Sequence, residues 1–130
     1  MNEEQFRHNV KEVLRARDVW HYVSYNPLNK GIPDLHFIAS GQPYWLELKY
    51  TERPPSLDHP VSAPQIETLQ HISESGGSAA VLTGTPDQVL LTNASDFDIE
   101  TCHTLPSFFC EPDIESHIEW LLTSSMDGST

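Results

Sequence analysis

The chain has no lysine or arginine after Arg53. Its seven basic residues, Arg7, Lys11, Arg15, Arg17, Lys30, Lys49 and Arg53, fall in the first 53 positions, where seven acids balance them. The remaining 77 positions carry twelve acids, and the net charge is −12. That balance excludes a protein that meets nucleic acid with a basic surface all round, because neutralising phosphates takes Lys and Arg. It does not exclude contact through a face built from the first half, where divalent cations would add positive charge. Cysteine is also scarce: Cys102 and Cys110 alone cannot make a disulfide framework and fit the reduced thiols of a cytosolic protein. No apolar run approaches the roughly 20 residues that span a bilayer, so no membrane partner is expected. The start of the chain, with Glu3 and Glu4, does not read as a signal peptide. Internal repeats and low-complexity tracts are absent, and 130 residues suit one compact domain.

Residues 2–17 read as an amphipathic helix, with Asn2 as N-cap, Gln5 completing a capping box, and Phe6, Val10, Val13 and Leu14 on one stripe. Glu3 projects onto the edge of that stripe, about 60° from Phe6 at 100° per residue, whereas Glu4 points the other way. The β-branched and aromatic segment 19–25 predicts a strand, and Asn26 to Ile32 a turn. Asp34 to Ala39 alternates as a second strand, Ser40 to Pro43 is a short link, and Tyr44 to Tyr50 is a third strand. Trp45, Glu47 and Lys49 share one face of that strand. Pro54, Pro55 and Pro60 mark a loop. Ser62 then caps a helix with Pro64 in its first turn, Ile66, Leu69 and Ile72 on its apolar face, and Gly76-Gly77 at its end. Ser78 to Leu82 and Val89 to Thr92 predict two short strands, separated by a turn over Thr83 to Gln88. The segment 93–112 has no clear period. Ile114, Ile118, Leu121 and Leu122 predict a last helix, fraying from Ser124. A hairpin-like link followed by a strand–helix–strand unit implies an α/β fold with a mixed sheet flanked by helices. Trp20, Trp45 and Trp120 lie on these periodic elements and read as core.

Asp34 opens one strand, and Glu47 and Lys49 share a face of its neighbour. Cutting a phosphodiester needs a cation to neutralise the phosphoryl group and to lower the pKa of an attacking water. Mg²⁺ or Mn²⁺ prefers oxygen ligands, which Asp34, Glu47 and the backbone carbonyl of Leu48 would provide. Lys49 would orient or deprotonate the water and stabilise developing charge. Glu and Lys are disfavoured in a strand rich in aromatics, so a plain surface ion pair explains them poorly. Lys30, Arg53, Arg7 and Lys11 are candidate phosphate contacts, with solvated surface charge as the simpler reading. Cys102, His103, Cys110 and His117 match no usual zinc-finger spacing.

Gly31-Ile32-Pro33-Asp34 followed by Trp45-Leu46-Glu47-Leu48-Lys49 resembles the signature of the PD-(D/E)XK nuclease superfamily. The ordered set Glu3, Gly31-Ile32-Pro33-Asp34, Glu47-Leu48-Lys49 and Ser62-Ala63-Pro64-Gln65 is most similar to its VRR-NUC branch. The resemblance covers about residues 2–84. It implies a restriction-endonuclease-like αβββαβ core, dependence on Mg²⁺ or Mn²⁺, and hydrolysis of DNA to leave a 5′-phosphate. It also implies that a helix-1 acid, Glu3 before Glu4, completes the metal site and that Gln65 lies near it. Branched or duplex DNA is the expected partner, as for a Holliday-junction resolvase, with homodimer formation. A phage genome and the cytoplasm of its bacterial host are the expected setting. Residues 1–92 would form the nuclease core and 93–130 an acidic C-terminal extension, helical in part, packed on the same domain. Two other readings stand beside this one: a non-catalytic binding module on a nuclease fold, and an acidic DNA mimic that inhibits a DNA-binding protein.

Overall fold

The computed structural model describes residues 1–24, 31–39 and 41–127. The elements run α1 (Glu3–Ala16), β1 (His21–Val23), β2 (Leu35–Ala39), β3 (Gln42–Tyr50), α2 (Ala63–Glu74), β4 (Ser78–Gly84), β5 (Val89–Asn93), β6 (Phe109–Glu111) and α3 (Ile114–Asp127). Two 3₁₀ turns, Ala94–Asp96 and Ile99–Thr101, fill the stretch without a clear period.

Both early helices start where their capping residues dictate. The Asn2 side chain accepts from the Gln5 N–H at 2.9 Å, and Gln5 Oε1 accepts from the Asn2 N–H at 3.0 Å. Ser62 and Gln65 repeat the arrangement at α2, at 3.3 and 2.9 Å. Gly76, at φ +92°, takes the left-handed turn that ends α2. Asp113 accepts from the Ser116 N–H at 2.8 Å at the start of α3.

The strands form one six-stranded sheet in chain order, β1-β2-β3-β4-β5-β6. Neighbours are antiparallel except β3 and β4, which run parallel across the α2 crossover. Alternation divides the core into two. On one face Phe6, Val10 and Leu14 of α1 and Ile118 and Leu121 of α3 pack on Leu35, Phe37, Leu46, Leu48, Leu82 and Leu91. On the other, Ile66 and Leu69 of α2 pack on Val81 and Leu90 with Leu57, Val61, Phe97 and Leu105. A Cβ on Gly84, at the end of β4, would stand 2.5 Å from the Phe6 ring. Glycine there lets the first turn of α1 close onto the face of the sheet that carries Leu46 and Leu48.

Several expectations change. The first strand is three residues long rather than seven, and β3 begins at Gln42, two residues early. Strand β4 runs on to Gly84, because Thr83 continues the parallel pairing with Lys49. Segment 93–112 supplies β6, which pairs with β5, and α3 is helical to Asp127 instead of fraying at Ser124. Trp20 and Trp120 are not core residues: both are exposed. Trp20 stands just before the edge strand β1, and Trp120 lies on the outer side of α3 against Phe109. Tyr25, Ser40 and residues 26–30 of the turn, including Lys30, lie outside the described residues. Among the described residues no helix is long and apolar enough to cross a membrane.

Candidate active site

Register brings the predicted residues together. Leu35 pairs with Leu46, so Asp34, one position before β2, stands alongside Glu47 on β3. The Leu48 N–H donates to Asp34 Oδ2 at 3.1 Å, tying the carboxylate to the backbone between Glu47 and Lys49. N–H and C=O of one residue point to the same side of an extended strand, so the Leu48 carbonyl also faces Asp34. Gly31 makes the approach to Asp34 feasible. Its φ is +94°, and a Cβ would lie 3.2 Å from the Pro64 carbonyl oxygen, so a glycine is needed to press this turn against the start of α2.

Asp34, Glu47 and Lys49 are all buried, and Glu47 is only 1% exposed. Burial, above all, raises the Glu47 pKa from 4.5 to about 10. Its hydrogen bond to Asp34 and the repulsion of the Asp34 and Glu3 charges raise it further, while Lys49 opposes them. Glu47 thus keeps its proton at neutral pH in the metal-free chain and shares it with Asp34. Its second oxygen, Oε2, is buried with no hydrogen-bond partner.

Helix α1 supplies the rim. Arg7 donates to Glu3 Oε2 at 2.9 Å, and its Nε lies 3.7 Å from Asp34 Oδ2. Glu3 Oε1 is a further buried oxygen without a partner. Among the described residues no three His, Cys, Asp or Glu side chains converge tightly enough to form a ligand cage by themselves. The donor set that is present suits a hard cation nonetheless. Mg²⁺ and Mn²⁺ are held by one or two carboxylates with waters and phosphate oxygens. Two adjacent carboxyl groups, one with an orphaned oxygen and a strongly raised pKa, form a site that becomes favourable when a cation replaces the proton.

The other candidates are placed differently. Gln65 is occupied in the α2 capping box. Arg7 points into the site as the partner of Glu3 and Asp34 instead of standing free on the surface for phosphate. Lys11 is half-buried and Arg53 exposed. Glu4 is exposed on the opposite side of α1 from the core stripe. His117, one of the residues considered for zinc, is buried with Nε2 2.6 Å from the Val89 carbonyl oxygen, and Cys102 and Cys110 are free.

One residue escaped the sequence reading. Thr83 pairs in register with Lys49, is fully buried, and has a hydroxyl with no hydrogen-bond partner. Its signal was a polar residue ending a run of small and β-branched residues, which resembles a turn.

No family model matches the chain, and no curated protein matches it. Among solved structures it is similar to Hjc, a Holliday junction resolvase from the archaeal hyperthermophile Archaeoglobus fulgidus, with a TM-score of 0.55. Sequence identity is 13%, and the match covers 88% of this chain and 92% of that one. The mixed sheet with its three helices therefore has a restriction-endonuclease-like fold, similar to that of this solved structure.

Proposed function

We propose that this protein is a metal-dependent deoxyribonuclease of the PD-(D/E)XK type, nearest in its motifs to the VRR-NUC branch. The observation that supports it is the buried pairing of Asp34 with Glu47, whose orphaned oxygen and raised pKa lack a structural purpose, beside the buried Lys49. A buried, unpaired carboxyl weakens the fold, so the cluster makes physical sense as a ligand set. Bound Mg²⁺ or Mn²⁺ would neutralise the phosphoryl charge and acidify the attacking water. Asp34, Glu47 and the Leu48 carbonyl would hold it, and Glu3, at the rim with a buried unpartnered oxygen, would accept a hydrogen bond from a water in the site. Lys49, on the same face of β3, orients the nucleophile and stabilises charge as the bond breaks. Arg7 fixes the positions of Glu3 and Asp34.

The substrate proposed is DNA, branched or duplex, with two copies of the chain acting together. Asp34→Ala and Lys49→Ala each should lower the cleavage rate by at least roughly 100-fold while circular dichroism and thermal unfolding stay native-like. Full activity in either variant would sink the assignment. The base-free second half favours a second reading, an acidic mimic of DNA. It predicts competition with DNA for a binding protein and no cutting by the wild type.

A further inference from the structure

The sheet face that carries Glu47 and Lys49 continues, away from them, into an aromatic surface. Tyr22 pairs with His36 and His36 with Trp45, so these three form one row across β1, β2 and β3. The His36 and Trp45 rings stack at 4.0 Å and 6°, and Trp20 meets His36 edge-on at 5.8 Å. Helix α2 covers the same face chiefly over β4 and the 3₁₀ turns beyond β5. Trp20 and Tyr22 are accordingly each 59% exposed, and Ile38 beside them 46%. Trp45 and Glu47 are two residues apart on one strand, so the platform begins about 7 Å from the carboxylate pair.

We infer that this surface binds unpaired nucleobases of the strand being cut, by stacking on Trp20 and Tyr22. The inference rests on the nuclease reading and specifies its substrate as DNA with single-stranded character next to the scissile phosphate. Charge supports that choice over a continuous duplex. Arg7, Arg15 and Arg17 are held in ion pairs and Lys49 is buried, which leaves Lys11 and Arg53 among the described residues for phosphate. A duplex binder of ordinary affinity neutralises several phosphates. Stacking needs no charge, tolerates any base, and is strong per ring, so it can hold a strand on an acidic protein. The platform is built from the first half of the chain at the β1 edge of the sheet, whereas the base-free second half supplies the opposite edge, β6.

The test is equilibrium binding in Mg²⁺ on the non-cutting Lys49→Ala background, read by anisotropy of a fluorescein-labelled oligothymidine and of a matched hairpin duplex. The single strand should bind more tightly. Adding Trp20→Ala and Tyr22→Ala should weaken it roughly ten-fold. Duplex affinity and the slope of affinity against salt should stay the same. Both rings are exposed, so the melting temperature should not move. In a Trp120→Phe background, which leaves Trp20 and Trp45, tryptophan emission should fall on adding oligothymidine. Equal affinity of Lys49→Ala and of the triple variant that adds Trp20→Ala and Tyr22→Ala for the oligonucleotide would overturn the inference. A change from dimer to monomer in sedimentation on removing the two rings would also overturn it, by showing that a second copy covers the face. Because binding is measured without cutting, the inference can fail while the nuclease reading stands, and the reverse.

Discussion

Replacing Glu47 with Gln tests the site through the stability of the metal-free chain. Glu47 has a pKa near 4.5 when unfolded and about 10 when folded. Between those values the folded chain binds the extra proton, so stability falls as pH rises through the window, by about 1.4 kcal/mol per pH unit. From pH 5.5 to 8.5 the loss is about 4 kcal/mol, a large share of the 5–15 kcal/mol by which domains are typically stable. Glu47→Gln keeps the shape and can still donate to Asp34, but it does not titrate. In EDTA it should unfold with a melting temperature on the order of 10 °C above wild type at pH 8.5, and close to it at pH 5.5. The general repulsion of a chain with net charge −12 acts on both proteins and cancels in the comparison. Mg²⁺ should then stabilise wild type more as pH rises, because the cation displaces the proton. Parallel pH profiles for the two proteins in EDTA would refute the assignment of a buried, proton-holding Glu47.

Other perturbations give independent checks. Gly84→Ala should destabilise the chain by about 1–3 kcal/mol in urea titrations, since the new methyl group meets the Phe6 ring at 2.5 Å. Phe6→Ala should cost about 3–5 kcal/mol, and the double variant less than the sum, because the cavity accepts the methyl group. His117 titrates in the opposite sense to Glu47: burial, chiefly, lowers its pKa from 6.5, so it contributes stability above that value that is lost as pH falls. His117→Gln should flatten the acid limb of the stability profile below pH 6.5, and an unchanged limb would contradict the burial argument. Arg7→Met should destabilise the metal-free chain by about 1–3 kcal/mol in urea titrations, because the largely buried Glu3 and Asp34 carboxylates lose their guanidinium partner, and added Mg²⁺ should recover part of the loss.

The placement of Asp34, Glu47 and Lys49 side by side was legible because it rested on local rules. Asn2 with Gln5 and Ser62 with Gln65 fixed two helix starts, and period-2 alternation put Glu47 and Lys49 on one face of β3. The Gly31–Asp34 turn and the short link between β2 and β3 were enough to bring Asp34 beside them. What depends on distant partners was not legible. Burial of Thr83 comes from parallel pairing with Lys49, 34 positions earlier, and β6 exists because β5 offers it an edge. Exposure of Trp20 and Tyr22 follows from where α2 happens to lie, which no pattern within segment 19–25 encodes. Arg7 looked like surface charge because its pairing with Asp34 crosses from α1 to the sheet.

The central claim is most directly tested by incubating the protein with Mg²⁺ or Mn²⁺ and end-labelled linear duplex, single-stranded, flapped and four-way-junction DNA, with Lys49→Ala and EDTA alongside. Cutting by wild type in either metal, absent with EDTA and in Lys49→Ala, and strongest on the substrates that expose unpaired nucleotides, is the predicted result. No cutting of any of the four substrates in either metal would contradict it.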